Sequence, residues 1–266
     1  MQVTLIQNAA GRVVAANLAA LDARLMNEEP ADLIVLPEVF AIRGNDGDLR
    51  EAAEPLNGRQ VTWLADTARR HKAWVLGGSI LERAGERIFN TTVLVDRSGK
   101  VAATYRKMHL FEAVLESGVI VRERDVYEAG DHPVMAGIEG WSCGLSICYD
   151  VRFPELYRVY AKRGASLLLI PSNFTQNTGK CHWETLVRAR AIENQCFVVA
   201  PNQCGINSAT GVASYGHSLI VGPWGDVLAE GGPEETTLRA TLDKAEVERV
   251  RARVPALKHR RSMLES

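Results

Sequence analysis

The chain repeats itself at long range. DLIVLPEVF (32–40) parallels SLLLIPSNF (166–174), and NTTVLVDRSGKV (90–101) parallels GHSLIVGPWGDV (216–227). Repeats of about 20–50 residues build solenoids and propellers; a unit this much longer implies one fold with internal pseudo-symmetry.

The order of elements within each half agrees. In the first, QVTLIQ reads as a β-branched strand and VVAANLAALDARLMNE has helical spacing. DLIVLPE is a continuous apolar run, the mark of a strand buried on both faces. RQVTWLADTARRHK is a helix after Gly58, AWVLGGSI a strand, and IFNTTVLVDRSGKVAATYRK two strands joined at DRSGK. In the second half WSCGLSIC is a strand and PELYRVYAKRG a helix, with Pro154 in its first turn and Gly164 at its C-terminal cap. SLLLIPS is a buried strand, HWETLVRARAIENQ a helix, FVVAPN a strand and HSLIVGPWGDVLAE a hairpin. Strand–helix–strand units pair in parallel through right-handed crossovers. Two sheets packed face to face, each with helices on its outer face, would cover every apolar surface. The expectation is an α/β fold, a four-layer αββα sandwich. With no linker visible, residues 1–266 read as a single domain.

The formal net charge of -1 argues against a nucleic-acid surface, which needs clustered Lys and Arg; KHRRS near the C-terminus is short and reads as a solvated tail. The five cysteines (143, 148, 181, 196 and 204) contain no C-x-x-C pair, so neither a disulfide framework nor a structural zinc site is expected, and reduced thiols in a cytoplasm fit better. No signal peptide is visible at the N-terminus. No apolar run approaches the roughly 18 residues of a membrane span.

In open α/β sheets, reactive groups collect beyond the carboxyl ends of the strands. That rule selects Glu38, Lys107, Cys148 and Asn173. Alternation along the strand puts Cys143, Leu145 and Ile147 on one face and Gly144, Ser146 and Cys148 on the other. Cys148, at the strand end before a helix, is either a core cysteine or a nucleophile. Glu38 is either a loop residue reaching solvent or a desolvated carboxylate suited to proton transfer. Lys107 is a surface charge, or a cation serving a thiolate and an oxyanion. A Cys–His dyad is the rival arrangement, with His109, His182 and His217 near the expected rims. Cys181 and His182 are adjacent, but no partner pair has metal-ligand spacing.

LIVLPEVF, YRKMHLF and GLSICYDVRFPELYR, in this order, resemble the three catalytic motifs of the nitrilase superfamily of carbon–nitrogen hydrolases, and the similarity runs over essentially the whole chain. HWETLVRARAIENQCFVVAPNQCG, ASYGHSLIVGPWG and LKHRR resemble its Nit branch, closest to the deaminated glutathione amidases, with the ω-amidases next. The resemblance implies the αββα sandwich, Cys148 as nucleophile, Glu38 as general base and Lys107 as oxyanion holder, with the backbone N–H of Tyr149 beside it. It implies a second glutamate after the lysine motif; Glu123 aligns best, with Glu116 and Glu128 as neighbouring alternatives. It further implies a small-molecule amide substrate, no metal or organic cofactor, and a homodimer or larger homo-oligomer built near the nucleophile motif and the C-terminus. The expected reaction is hydrolysis of the terminal amide of an α-keto acid amide of the deaminated glutathione type, releasing ammonia through a thioester. The alternatives are an ω-amidase acting on α-ketoglutaramate, a nitrilase or an N-carbamoyl amino acid amidohydrolase. HLFEAVLESGVIVRERDVYEAG departs from the usual Nit loop, in which Pro-Gly is common. Asn173, Phe174 and Thr175 are candidates for the pocket wall. Arg152 is expected either as a charge near the site or in a salt bridge that orients Glu38 or Glu155.

Overall fold

The computed structural model describes residues 1–114 and 120–261. The first half contains β1 (Gln2–Gln7), α1 (Val14–Leu25), β2 (Leu33–Val35), α2 (Asp46–Ala52), α3 (Arg59–His71), β3 (Trp74–Leu76), β4 (Ile80–Ala84), β5 (Arg87–Val95) and β6 (Val101–Arg106). A small hairpin follows, β7 (Glu112–Val114) and β8 (Ile120–Arg122). The second half contains β9 (Met135–Ile138), β10 (Trp141–Leu145), α4 (Pro154–Lys162), β11 (Leu167–Leu169), α5 (Gln176–Asn194), β12 (Phe197–Ala200), β13 (Leu219–Val221), β14 (Val227–Glu230), β15 (Thr236–Thr241) and α6 (Lys244–Arg253).

Two sheets carry the fold. One runs β15-β1-β2-β3-β5-β4, with β6 also paired to β5; the other runs β14-β13-β12-β11-β10-β9. In both, three central strands are parallel (β1, β2, β3 and β10, β11, β12) and the flanking strands antiparallel. Leu33 and Val35 of β2 face the second sheet, in one core with Leu145, Leu167 and Val198, whereas Ile34 faces Leu18, Leu21 and Leu64 of the outer helices. That two-sided burial explains the unbroken apolar run. The sheets pack with helices on their outer faces, as an αββα sandwich.

The repeat persists in fine detail. The β5–β6 and β13–β14 turns each close with paired backbone bonds (Asp96 N to Lys100 O and Gly222 N to Asp226 O, both 2.9 Å), and each ladder shifts register one residue before the turn. Gly99 and Gly225 occupy the left-handed position these turns require, at φ 84° and 91°. Helices α3 and α5 end alike, at Lys72 and Gln195, both at φ 51°.

Three sequence expectations are revised. AWVLGGSI is two strands rather than one, because Gly77 and Gly78 lead the chain out of line; a Cβ on Gly78 would meet the Pro37 carbonyl at 1.8 Å. Helix α5 begins at Gln176, before the expected HWETL, because Gly179 is accommodated there by close packing on Tyr215. Strand β10 ends at Leu145, so the alternation stops short of Cys148, which opens a 3-10 turn instead.

Candidate active site

The three motif residues converge from different strands. Chain leaving β2 turns at Val39 (φ 50°), whose N–H donates to Ser79 Oγ at 2.9 Å, and this turn carries Glu38 inward to 2% exposure. Lys107 follows β6: its N–H donates to the Asn90 carbonyl and its own carbonyl accepts from Gly130 N, each at 2.8 Å. Arg106 takes the opposite face and pairs with Glu82 at 2.9 Å, as alternation requires. Lys107 is 1% exposed and its Nζ lies 2.8 Å from both Glu38 Oε1 and Glu123 Oε1.

Cys148 is 8% exposed and adopts φ 47°, a conformation that side-chain-bearing residues rarely take. Its N–H donates to Pro171 O at 2.9 Å. Asp150, fully buried, fixes the turn: Oδ2 accepts from Ile147 N at 2.8 Å and from the Tyr105 hydroxyl at 2.7 Å, and Oδ1 accepts from His109 N at 3.1 Å. One carboxylate thus ties the cysteine turn to residues on both sides of Lys107.

The electrostatics follow from dryness and proximity. Burial, reinforced by the Glu38 charge, pushes the Cys148 thiol well above its ordinary value; Lys107 and the Asn173 N–H, which faces the sulfur, pull the other way and do not prevail. Burial alone would lower the Lys107 ammonium, but Glu123, Glu38 and Cys148 more than offset it and hold it well above the usual range. Burial, together with Glu38, raises the Glu123 carboxyl against the pull of Lys107. The resting arrangement is therefore a neutral thiol beside an ion-paired lysine.

Glu123, in a 3-10 turn after β8, is tied to Phe111 by a donor and an acceptor (Glu123 N to Phe111 O 2.9 Å; Phe111 N to Glu123 Oε2 2.7 Å). Glu128 is exposed, pairs its backbone with Ile88 and makes no ion pair with Lys107; Glu116 lies outside the described residues. The Tyr149 ring stands edge-on to Phe111 and Phe153 at 5.2 and 5.4 Å. Arg152 makes no salt bridge with Glu38 or Glu155. Glu38 is held by Lys107 and Asn90 instead, and the guanidinium contacts His182 Nδ1 at 3.3 Å and lies over the Phe174 and Tyr149 rings. Phe174 is buried on Trp183 at a 4.8 Å centroid distance, and Thr175 precedes α5 with its hydroxyl 2.8 Å from that of Thr178. The histidine dyad does not form among the described residues. His109 bonds Asp150 at 2.7 Å and stacks on Phe153, His182 meets Arg152, and His217 lies 3.6 Å from Glu230.

Two residues were not singled out from sequence. Asn90 Nδ2 donates to Glu38 Oε1 at 2.8 Å, sharing that oxygen with Lys107. An asparagine inside the apolar strand IFNTTVLV is the signal that could have found it. Asp150 gives a weaker signal, because two of its partners, Tyr105 and His109, lie far away in the chain.

Residues 3–252 match the family model described as Carbon-nitrogen hydrolase, and the chain belongs to that family of hydrolases acting on carbon–nitrogen bonds other than peptide bonds. Among curated relatives, it is 36% identical to an omega-amidase of Danio rerio over 89% of this chain and 85% of that one, and 39% identical to a deaminated glutathione amidase of Synechocystis over 86% of each. Among solved structures, the C. elegans NitFhit protein superposes with a TM-score of 0.91 at 35% identity, over 99% of this chain; this chain spans 65% of that longer one. No helix among the described residues is long and apolar enough to cross a membrane.

Proposed function

We propose that the protein is a cysteine-dependent amidase whose substrate is a small α-keto acid amide, of the deaminated glutathione type or, as the alternative, α-ketoglutaramate. The observation that carries this reading is the dry Glu38–Lys107–Glu123 network beside a neutral thiol held on a strained turn. Glu38 takes the Cys148 proton as sulfur attacks the amide carbon. The oxyanion forms toward Lys107 Nζ and the Tyr149 N–H. Glu38 returns the proton to the nitrogen, the C–N bond breaks, and ammonia or an amine leaves a thioester on Cys148. Glu38 then draws a proton from water, whose oxygen attacks the thioester carbon; the C–S bond breaks to give the acid, and Glu38 passes the proton to the departing sulfur, restoring the thiol. Glu123 orients Lys107 without exchanging a proton. Arg152, Asn173, Phe174 and Thr175 form the substrate wall. The chemistry runs on the chain's own side chains, without a metal or organic cofactor. The substrate is a small molecule, with neither nucleic acid nor membrane as partner. The five free cysteines support a reducing, cytoplasmic setting.

The test is a substrate panel on the purified protein, scored for released ammonia or amine: deaminated glutathione, α-ketoglutaramate, a nitrile and an N-carbamoyl amino acid. Turnover is expected on the keto acid amides, with a mass adduct on Cys148. Cys148→Ala should remain folded and lose at least about 1000-fold in kcat. Wild-type release by that variant would refute the nucleophile assignment.

A further inference from the structure

Beyond its first residue, strand β5 is buried on both faces, yet it carries an asparagine, a residue that strands disfavour. Asn90 is 1% exposed. Alternation sets it on the side of Leu94, toward the second sheet, while Val93 and Val95 face the outer helices. Its amide is only half satisfied. Nδ2 donates to Glu38 Oε1 at 2.8 Å, but Oδ1 is buried with no hydrogen-bond partner among the described residues. Charge sets that orientation. Glu38 is ion-paired with Lys107 and as a carboxylate can only accept, so the nitrogen faces it and the oxygen looks away. A buried acceptor without a donor destabilises the fold, and an apolar side chain of similar shape would remove that cost. Packing therefore does not account for an asparagine at this position.

Its partners do. The Asn90 carbonyl accepts from Lys107 N at 2.8 Å, while the Asn90 amide holds Glu38. One residue thus touches both the base and the cation. Glu38 Oε1 receives two donors, Asn90 Nδ2 and Lys107 Nζ, the latter also at 2.8 Å. The ammonium alone would not fix the carboxylate. It is a compact charge on a flexible stem, it is shared with Glu123, and it can donate to either oxygen of Glu38 or to both. The planar amide, seated on β5, commits Oε1. The Cys148 thiol faces the same carboxyl group, and Oε2 is the oxygen left to meet it.

We propose that Asn90 is a positioning residue for the general base: its amide holds Glu38 Oε1 so that the other carboxylate oxygen stays turned to the Cys148 thiol, and its carbonyl keeps Lys107 in register beside it. The proposal rests on the amidase reading above, in which Glu38 is the base, and adds the residue that aims it.

The test sets stability against turnover. Asn90→Leu removes the donor and the unpartnered oxygen together, so Tm should hold or rise, while kcat on α-ketoglutaramate should fall about 10- to 100-fold with KM changed by less than about threefold. Asn90→Asp keeps the shape but replaces the donor with an acceptor; it should lose at least as much kcat, and it answers the question if the leucine variant does not fold. Thr92→Val removes another buried, unpartnered oxygen from the same face of β5 and should keep kcat within about threefold. Alkylation of Cys148 by iodoacetamide at neutral pH, followed at that residue by mass spectrometry, needs the base but no amide substrate. It should slow in Asn90→Leu by a factor similar to the loss in kcat. Wild-type kcat in Asn90→Leu, an equal loss in Thr92→Val, or unchanged alkylation would overturn the proposal and leave Asn90 as packing. If wild type hydrolyses none of the amides, the amidase reading fails, and the alkylation rates still decide whether Asn90 aims Glu38 at the thiol.

Discussion

At Cys148 the backbone is held in a left-handed conformation that costs a side-chain-bearing residue about 1–2 kcal/mol, and Asp150 supplies the bonds that keep it there. The sulfur projects beyond the end of β10 while the thiol stays protonated. A raised thiol pKa leaves the neutral form populated at low and neutral pH, so thiolate accumulates only as pH climbs past the ordinary value of 9.0. The ultraviolet thiolate absorbance of wild type minus Cys148→Ser should therefore be near zero at neutral pH and grow only above about 9; a full thiolate signal at neutral pH would contradict a resting thiol. Glu123→Gln should lower kcat about 10- to 100-fold with little change in KM, since the lysine keeps Glu38 but loses the group that aims it. Steady-state kinetics on a keto acid amide would check this. Glu38 and Cys148 draw notice in sequence because each follows an apolar run, where such a residue stands out, whereas Lys107 follows the half-exposed VAATYR and is set apart from a surface charge only by the motif resemblance. Asn90 and Asp150 stand out less, because Glu38, Tyr105 and His109, the partners that define their work, are brought close only by folding.

At the scale of elements, the repeat in sequence is a repeat of turns and caps as much as of strands. Helix ends at Lys72 and Gln195 share one left-handed conformation, yet their energetics differ. Lys72 is exposed and has no side-chain role at the cap, so Lys72→Gly should relieve strain of about 1 kcal/mol and raise Tm by about 2 °C in calorimetry. Gln195 also donates through Nε2 to Val254 O at 2.6 Å, so the same change there should gain less or lose stability. The apolar runs revealed β2, β5, β11 and β12 because both faces of those strands are buried. Short α2 was not legible: its capping box of Asn45 and Asp48 sits in a polar loop without helical periodicity.

For the whole molecule, the αββα arrangement was readable because two halves with the same order of elements can hide their apolar faces only against one another. What sequence did not disclose is how the halves are stitched. Strand β15 comes from the end of the chain but pairs with β1, along Gln2↔Thr241 to Gln7↔Thr236, and β9 holds the matching place beside β10. TTLRAT is half-buried up to its exposed last residue, Thr241, so it lacks an apolar signature. Exposed Ile192, Trp224 and Val254 cluster where α5, the β13–β14 turn and the end of α6 meet, a surface that supports the expected homo-oligomer. Sedimentation should give a multiple of the 29.2 kDa chain mass, and Ile192→Glu should reduce it. The clasp between β1 and β15 also governs how the protein is born. On the ribosome β1 emerges long before its outer neighbour β15 is made, so this sheet spends much of synthesis with a raw edge, and a chain stalled before Thr236 would carry that edge into the cell uncovered.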